Sequence, residues 1–213
     1  MLSGVILAGG KNRRMGGFHK ALLSFGQEKM IDRQIRLMRE ICAEIIVVTN
    51  EPQTFLPLVG RSVRIITDYL PNSGPLGGMH AGLSLAKYSD VWAVACDMPF
   101  LSPPAAELML KRKKEQDFDA VIPVLAGKWH PLHGIYDKRA VRILPEMIKR
   151  GDLQVRHYLR EVHYGLADEA LFVQHGIDPR FVFNVNTPED YREALSLMSG
   201  SGNQAAKSAE TGQ

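Results

Sequence analysis

The sequence has few cysteines, no long apolar run and little net charge, and each of these shortages excludes a class of protein. Its 213 residues include two cysteines, Cys42 and Cys96, inside apolar segments, which is typical of reduced thiols in a cytoplasmic protein. No apolar run approaches the roughly 20 residues that cross a bilayer. The formal net charge of +3 is too small to indicate nucleic-acid binding. We therefore expect a cytoplasmic protein with neither a membrane nor a nucleic acid as its partner.

The chain does have short apolar runs that alternate with segments of helical period. Four of these runs predict strands, at residues 2–7, 45–49, 63–67 and 91–96. Between the first two, the apolar residues Ile31, Ile35, Met38 and Cys42 recur at the spacing of one helix face. This alternation predicts an α/β domain over residues 1–198, with three layers, a mostly parallel sheet and helices on both of its faces.

The second half of the chain is less regular. Strands are predicted at 120–124 and 132–136 with no helix between them, which favours one antiparallel strand. A helix is predicted over 139–148, a late strand over 181–185, and a last helix beginning at Thr187-Pro188, since threonine caps a helix and proline suits its first turn. Residues 199–213 have no apolar periodicity and are predicted to form a disordered tail.

A glycine-rich basic loop, LAGGKNRRMGG at residues 7–17, follows the first strand. Gly9 and Gly10 let the backbone turn sharply and bring N–H groups close to a ligand. No acidic residue precedes Glu28, whereas four cations do: Lys11, Arg13, Arg14 and Lys20. This excess indicates a multiply charged anion such as a triphosphate, and a solvated basic loop is the alternative. The segment matches neither the P-loop nor the dinucleotide fingerprint.

Polar residues also follow the other predicted parallel strands, and the carboxyl ends of such strands meet at one ligand-binding edge. Asp97 follows the fourth strand and suits Mg²⁺, although an aspartate that caps the next turn fits the position equally well. Asp68 ends the third strand before GPLGG, where Gly77 and Gly78 would admit a base or a phosphate, or form only a tight turn. Asn50 follows the second strand and is predicted to contact base or ribose.

The pattern LAGGxxxRMGGxxK resembles the signature of the molybdenum cofactor guanylyltransferases, a branch of the nucleotidyltransferases with a Rossmann-like fold. The residues that carry this resemblance are Leu7, Ala8, Gly9, Gly10, Arg14, Met15, Gly16, Gly17 and Lys20. The segments GPLGG, CDMPF and NVNTPED resemble further motifs of that family. His19 departs from the pattern, because many members have aspartate at that place.

The resemblance implies a transfer of GMP from GTP to the terminal phosphate of molybdopterin, which would already carry molybdenum, with release of pyrophosphate. Asp97 would bind Mg²⁺ and the nucleotide, while Arg14 and Lys20 would offset the charge of the phosphates. The implied nucleotide-site residues are Leu7, Ala8, Gly9, Gly10, Lys20, Asn50, Asp68, Gly77, Gly78 and Asp97. Transient protein partners of the cofactor pathway are a further implication.

On the acceptor side, Asn184 and Asn186 are predicted to share one face of the late strand, where they would meet the acceptor or support the metal. His130 and His133 are structural or contact the acceptor, since no third ligand with zinc spacing accompanies them. Three other functions stay open. They are a cytidylyltransferase acting on the same cofactor, a sugar-1-phosphate nucleotidylyltransferase (disfavoured by LAGG rather than LAAG), and a nucleotide-binding protein without catalysis.

Overall fold

The computed structural model describes residues 1–9, 19–68, 70 and 73–210, with side chains as far as residue 199. The described strands are β1 (Leu2–Leu7), β2 (Ser24–Phe25), β3 (Glu28–Lys29), β4 (Cys42–Val48), β5 (Val63–Ile66), β6 (Asp90–Ala95), β7 (Ala120–Leu125), β8 (Lys128–Trp129), β9 (His133–Asp137) and β10 (Tyr164–Asp168).

The described α-helices are α1 (Met30–Met38), α2 (Pro52–Phe55), α3 (Gly74–Leu85), α4 (Pro103–Glu115), α5 (Leu144–Lys149), α6 (Val155–Arg160), α7 (Glu169–Gln174) and α8 (Pro188–Glu210). Short 3-10 helices lie at Lys20–Leu22, Lys138–Ile143 and Pro179–Val182. Helix α8 continues past residue 198, and the disordered tail stays a prediction. Among the described residues, no helix combines the length and the apolar character needed to cross a bilayer.

The central sheet has the strand order β10-β7-β9-β6-β1-β4-β5, with β8 paired to β7. Strand β1 is parallel to both β4 and β6, and β5 and β10 are parallel to their own neighbours. Strand β9 is antiparallel to its neighbours β6 and β7, which confirms the predicted antiparallel strand, and the short strand β8, antiparallel to β7, is a second such strand. The mostly parallel α/β fold is confirmed.

Burial on both faces explains why the parallel strands are continuous apolar runs. In β1, Val5 packs in one core cluster and Ile6 in the cluster on the other face, and both are completely buried. Helix α1 buries Ile31, Ile35 and Met38 on the predicted face. Cys42, in contrast, begins β4 rather than extending that helix.

The predicted strand at 181–185 is wrong. Pro179–Val182 forms a 3-10 helix instead, whose start is fixed by Asp178, because its side chain accepts a hydrogen bond from the backbone N–H of Arg180. The backbone N–H of Val185 then donates to the carbonyl of Asp97 at 2.8 Å. This contact ties the segment to the end of β6 without a strand ladder.

Candidate nucleotide site at the carboxyl edge of the sheet

The carboxyl ends of β1, β4 and β6 lie side by side, because Leu7 is in register with Val48 on one side and Ala95 on the other. The segments that follow these strands therefore start at one edge of the sheet. A Cβ built on Gly9 would lie 3.8 Å from Asn50 Nδ2, so the side chain of Asn50 lies against the start of the glycine-rich loop. The structure thus brings Gly9 and Asn50 together at the predicted edge.

Lys20 contacts two other predicted site residues, which come from distant parts of the chain. Its Nζ donates to Asp97 Oδ2 at 3.2 Å and to Asn186 Oδ1 at 2.7 Å. The side chains of Lys20 and Asp97 are 15% and 18% exposed, so both remain reachable from solvent. The carboxylate of Asp97 and the amide of Asn186 therefore hold the ammonium group of Lys20 at the carboxyl edge of the sheet.

One of the two carboxylate oxygens of Asp97 makes no hydrogen bond to the described residues. Its Oδ1 is buried and has no hydrogen-bond partner among the described residues. A buried acceptor without a partner is unfavourable, so such an atom needs an explanation. A hard cation suits it, since Mg²⁺ binds through one or two carboxylates together with waters and substrate phosphates. Among the described residues, no group of three or more histidine, cysteine, aspartate or glutamate side chains is placed to hold a metal ion.

Asn186 is held in place by the start of α8. The carboxylate of Asp190 accepts hydrogen bonds from the backbone N–H groups of Asn186 and Thr187, both at 2.8 Å, and Thr187 Oγ1 accepts from the N–H of Asp190. The bond from Asn186 is the largest cause that lowers the pKa of Asp190. This reciprocal cap fixes the direction from which Asn186 reaches Lys20.

Asn184 does not share the partner of Asn186. Its Nδ2 donates to the carbonyl of Val182 at 3.0 Å, whereas Asn186 accepts from Lys20. The expectation that both amides lie on one face of a strand is corrected, because this segment is not a strand.

Two glycines of α3, Gly77 and Gly78, lie close to side chains at the ends of neighbouring strands. Asp68 Oδ1 accepts from the N–H of Leu70, and a Cβ built on Gly77 would lie only 2.5 Å from Asp68 Oδ2. A Cβ on Gly78 would lie 3.2 Å from Leu7 Cδ2. Glycine at these positions therefore lets the first turn of α3 approach the ends of β1 and β5.

His19 has a partner that the sequence analysis did not identify. Its Nε2 lies 2.6 Å from Glu51 Oε2, and its ring contacts Phe55 edge-on with a centroid distance of 5.9 Å. Glu51 directly follows Asn50, so the rule that places Asn50 at the ligand edge places Glu51 there too.

Burial makes the side chains of His133, Cys42 and Cys96 unsuitable as acids, bases or nucleophiles near neutral pH. His133 is completely buried between the rings of Trp92 and Phe181, and burial lowers its pKa to about 3, so it is a neutral core residue. Burial also raises the pKa of Cys42 and of Cys96 to about 12. Neither thiol is a nucleophile near neutral pH.

Two predicted residues, Gly10 and Arg14, lie outside the described residues, as do Lys11, Arg13, Met15, Gly16 and Gly17.

Comparison with known proteins identifies relatives of nearly equal length. The family model described as the MobA-like NTP transferase domain matches residues 4–166. The chain is 35% identical over 201 residues to a probable molybdenum cofactor guanylyltransferase of Pelotomaculum thermopropionicum, covering 93% of this chain and 94% of that protein. It is 29% identical to a molybdenum cofactor guanylyltransferase of Desulfosudis oleivorans, covering 92% of this chain and 96% of that protein.

A solved structure has the same fold. The molybdopterin-guanine dinucleotide biosynthesis protein A of Archaeoglobus fulgidus superimposes with a TM-score of 0.79 at 24% identity. The match covers 93% of this chain and 99% of that one. At this identity the likeness supports the fold alone.

Proposed function

The chain belongs to the MobA-like NTP transferase family, and on that premise we propose that it transfers GMP from GTP to the terminal phosphate of molybdopterin. The names and lengths of the curated relatives support this choice of substrates. The observation that carries the proposal is the contact of Lys20 with Asp97 and Asn186 at the carboxyl edge, where Asp97 Oδ1 has no partner in the described part of the chain.

The acceptor phosphate attacks the α-phosphorus of GTP in line, a new P–O bond forms, and pyrophosphate leaves. The protein contributes position and charge rather than covalent chemistry. The Nζ of Lys20 offsets negative charge on the phosphates and on the departing pyrophosphate, and we assign the same role to Arg14. The backbone N–H groups of Gly9 and Gly10 serve as further donors. A Mg²⁺ ion held by Asp97 would neutralise charge on the phosphate oxygens.

The remaining predicted residues are proposed to surround the two substrates. Leu7, Ala8, Asn50, Asp68, Gly77 and Gly78 would border the nucleotide, because all of them lie at or near the same sheet edge. Asn184 and Asn186 would border the acceptor. We also infer that the protein acts in the cytoplasm and hands its product to transient partners of the cofactor pathway.

The decisive experiment offers the protein each of the four nucleoside triphosphates with Mg²⁺ and molybdopterin, with and without molybdenum, and scores dinucleotide and pyrophosphate. We expect product with GTP. A preference for CTP would contradict guanylyl transfer, as would a product formed only with a sugar phosphate as acceptor. Nucleotide binding without pyrophosphate release would identify a binding protein instead.

A further inference from the structure

The two residues that border segment 10–18 are held by two consecutive residues at the end of β4. Gly9 lies against Asn50, and His19 contacts Glu51 through Nε2 and Oε2 at 2.6 Å. Glu51 is itself oriented, since its backbone N–H donates to Thr49 Oγ1 at 3.1 Å. Gly9 and His19 therefore both lie against one short piece of chain, Asn50-Glu51.

His19 also fixes the start of the turn that carries Lys20. The carbonyl of His19 accepts from the N–H of Leu22 at 2.9 Å, and the carbonyl of Lys20 accepts from the N–H of Leu23 at 3.1 Å. These bonds form the 3-10 helix Lys20–Leu22, from which the Nζ of Lys20 reaches Asp97. A displacement of His19 would therefore displace the backbone from which the lysine extends.

The His19–Glu51 contact is unlike a purely stabilising ion pair. The side chain of Glu51 is 60% exposed, and exposed pairs contribute little to folding. The His19 side chain, in contrast, is 17% exposed and has its ring against the completely buried Phe55. The carboxylate of Glu51 thus fixes the orientation of a largely buried ring, while this exposed carboxylate itself adds little to the free energy of unfolding.

We propose that His19 and Glu51 form a clasp that positions Lys20 for the polyphosphate of the nucleotide. The clasp rests on the proposed function, and it assigns positioning roles to two residues that lack a part in the transfer chemistry. Its signature is a loss of catalytic efficiency without a loss of stability, because the pair acts on the geometry of Lys20 rather than on the core.

The test compares His19→Ala, Glu51→Ala and the double variant by kcat/KM for GTP, by Kd for a non-hydrolysable GTP analogue, and by Tm. We expect each single change to lower kcat/KM about tenfold, since small displacements of a positioned group have effects of this order. The double variant should be no worse than either single one, because both break the same contact. The Tm of Glu51→Ala should stay within about 2 °C of the wild-type value, because the Glu51 side chain is 60% exposed.

A matched control exists at helix α6. His157 Nδ1 and Asp152 Oδ1 form a histidine–carboxylate contact of 2.8 Å, remote in sequence from the candidate site. His157→Ala and Asp152→Ala should leave kcat/KM unchanged. The rescue test uses His19→Asp, which sets two carboxylates against each other, and then adds Glu51→Lys, which restores an attractive pair and should recover most of the lost efficiency.

Additive effects in the double variant, a parallel fall of Tm and activity in Glu51→Ala, or no recovery in the swapped pair would each overturn the clasp. A failure of the proposed function looks different. In that case the wild-type protein forms no dinucleotide product, and the clasp is judged by analogue binding alone, where equal Kd values for wild type and His19→Ala would overturn it.

Discussion

The two ends of β6 each present an aspartate to a lysine, but the two contacts are built differently. At the amino end, Asp90 is paired across the sheet with Asp137, and Lys113 Nζ donates to both, at 2.8 and 3.0 Å. All three side chains are less than one tenth exposed. Burial alone would lower the pKa of Lys113, but the hydrogen bonds to the two carboxylates outweigh it and raise that pKa.

At the carboxyl end, Lys20 contacts one carboxylate and one amide, and Asp97 keeps an oxygen without a partner among the described residues. The charges at the amino end are satisfied within the protein, so they serve folding. Those at the carboxyl end are incompletely satisfied by the described residues, so folding alone does not account for them. This difference supports the proposal that the contact of Lys20 with Asp97 is arranged for a ligand.

The sharpest test replaces the aspartate at each end of β6. Asp97→Asn should lower kcat about 10³-fold, the size of effect seen when one preorganised electrostatic group is lost, while Tm stays near the wild-type value. Asp90→Asn should lower Tm and leave kcat per folded molecule unchanged. Steady-state kinetics and thermal unfolding of both variants measure this. Near-normal turnover of Asp97→Asn would remove Asp97 from the proposed metal site.

Breaking the amino-end cluster should have the largest effect on stability. Lys113→Met leaves Asp90 and Asp137 with only their half-exposed partners Lys114 and Arg139, and should reduce the free energy of unfolding by about 3 kcal/mol. Urea unfolding measures this. The control is Lys111→Met on the same helix, where Nζ lies 3.8 Å from Glu115 in an exposed pair, and the expected change is within about 0.5 kcal/mol. Equal effects of the two variants would contradict the structural role of Lys113.

The parallel strands that are buried on both faces could be predicted from the sequence, whereas strand β10 could not be predicted. Strands β1, β4 and β6 are continuous apolar runs, whereas β10 contains a glycine and a single aliphatic side chain other than alanine. It joins the sheet by pairing with β7. A Cβ on Gly165 would lie 2.4 Å from Phe118 Cε2, so the glycine makes room for an aromatic ring. Tertiary packing, which no local pattern records, selects this strand.

For the site, the rule that ligands bind at the carboxyl edge correctly places Gly9, Asn50 and Asp97 together. The contact of Lys20 with Asn186 could not be predicted from the sequence, because the two residues are 166 positions apart. In addition, Asn186 follows the segment 181–185, whose apolar residues wrongly predict a strand. Phe181 is buried by contact with Phe172 and His133, not by strand pairing. The apolar residues of this segment are therefore explained by burial in the core, and the strand predicted from them is wrong.

His133 tests whether every unpartnered buried group marks a ligand site. Both of its ring nitrogens lack a partner among the described residues, but burial lowers its pKa from 6.5 to about 3, so it is neutral when folded. Its folded-state pKa is depressed, so its contribution to stability is complete above about pH 6.5 and is lost as the pH falls toward 3. From pH 8 to pH 5 this loss should amount to about 2 kcal/mol.

His133→Leu should remove that part of the acid destabilisation, measured by urea unfolding at both pH values. The exposed His175 is the control, and His175→Leu should leave the pH dependence as in the wild type. An unchanged pH dependence in His133→Leu would mean that His133 is protonated or has a hydrogen-bond partner in the folded protein. His133 would then not be a neutral core residue, and like Asp97 it would be a candidate for ligand binding.

The smallest expected effect comes from a substitution that gives the lysine at the carboxyl end of β6 two carboxylate partners, as the lysine at the amino end has. Asn186→Asp would place Lys20 between two carboxylates, as Lys113 is placed, and would add a negative charge where phosphates are proposed to bind. We expect kcat/KM for GTP to fall about tenfold, mainly through KM, since a unit charge near a protein surface acts with energies of this order. Asn186→Ala should cost less, because it removes one hydrogen bond and adds no charge. If Asn186→Ala proved the more harmful of the two, the amide would act by holding Lys20 in place, and the contrast in charge between the two ends of β6 would not explain their different roles.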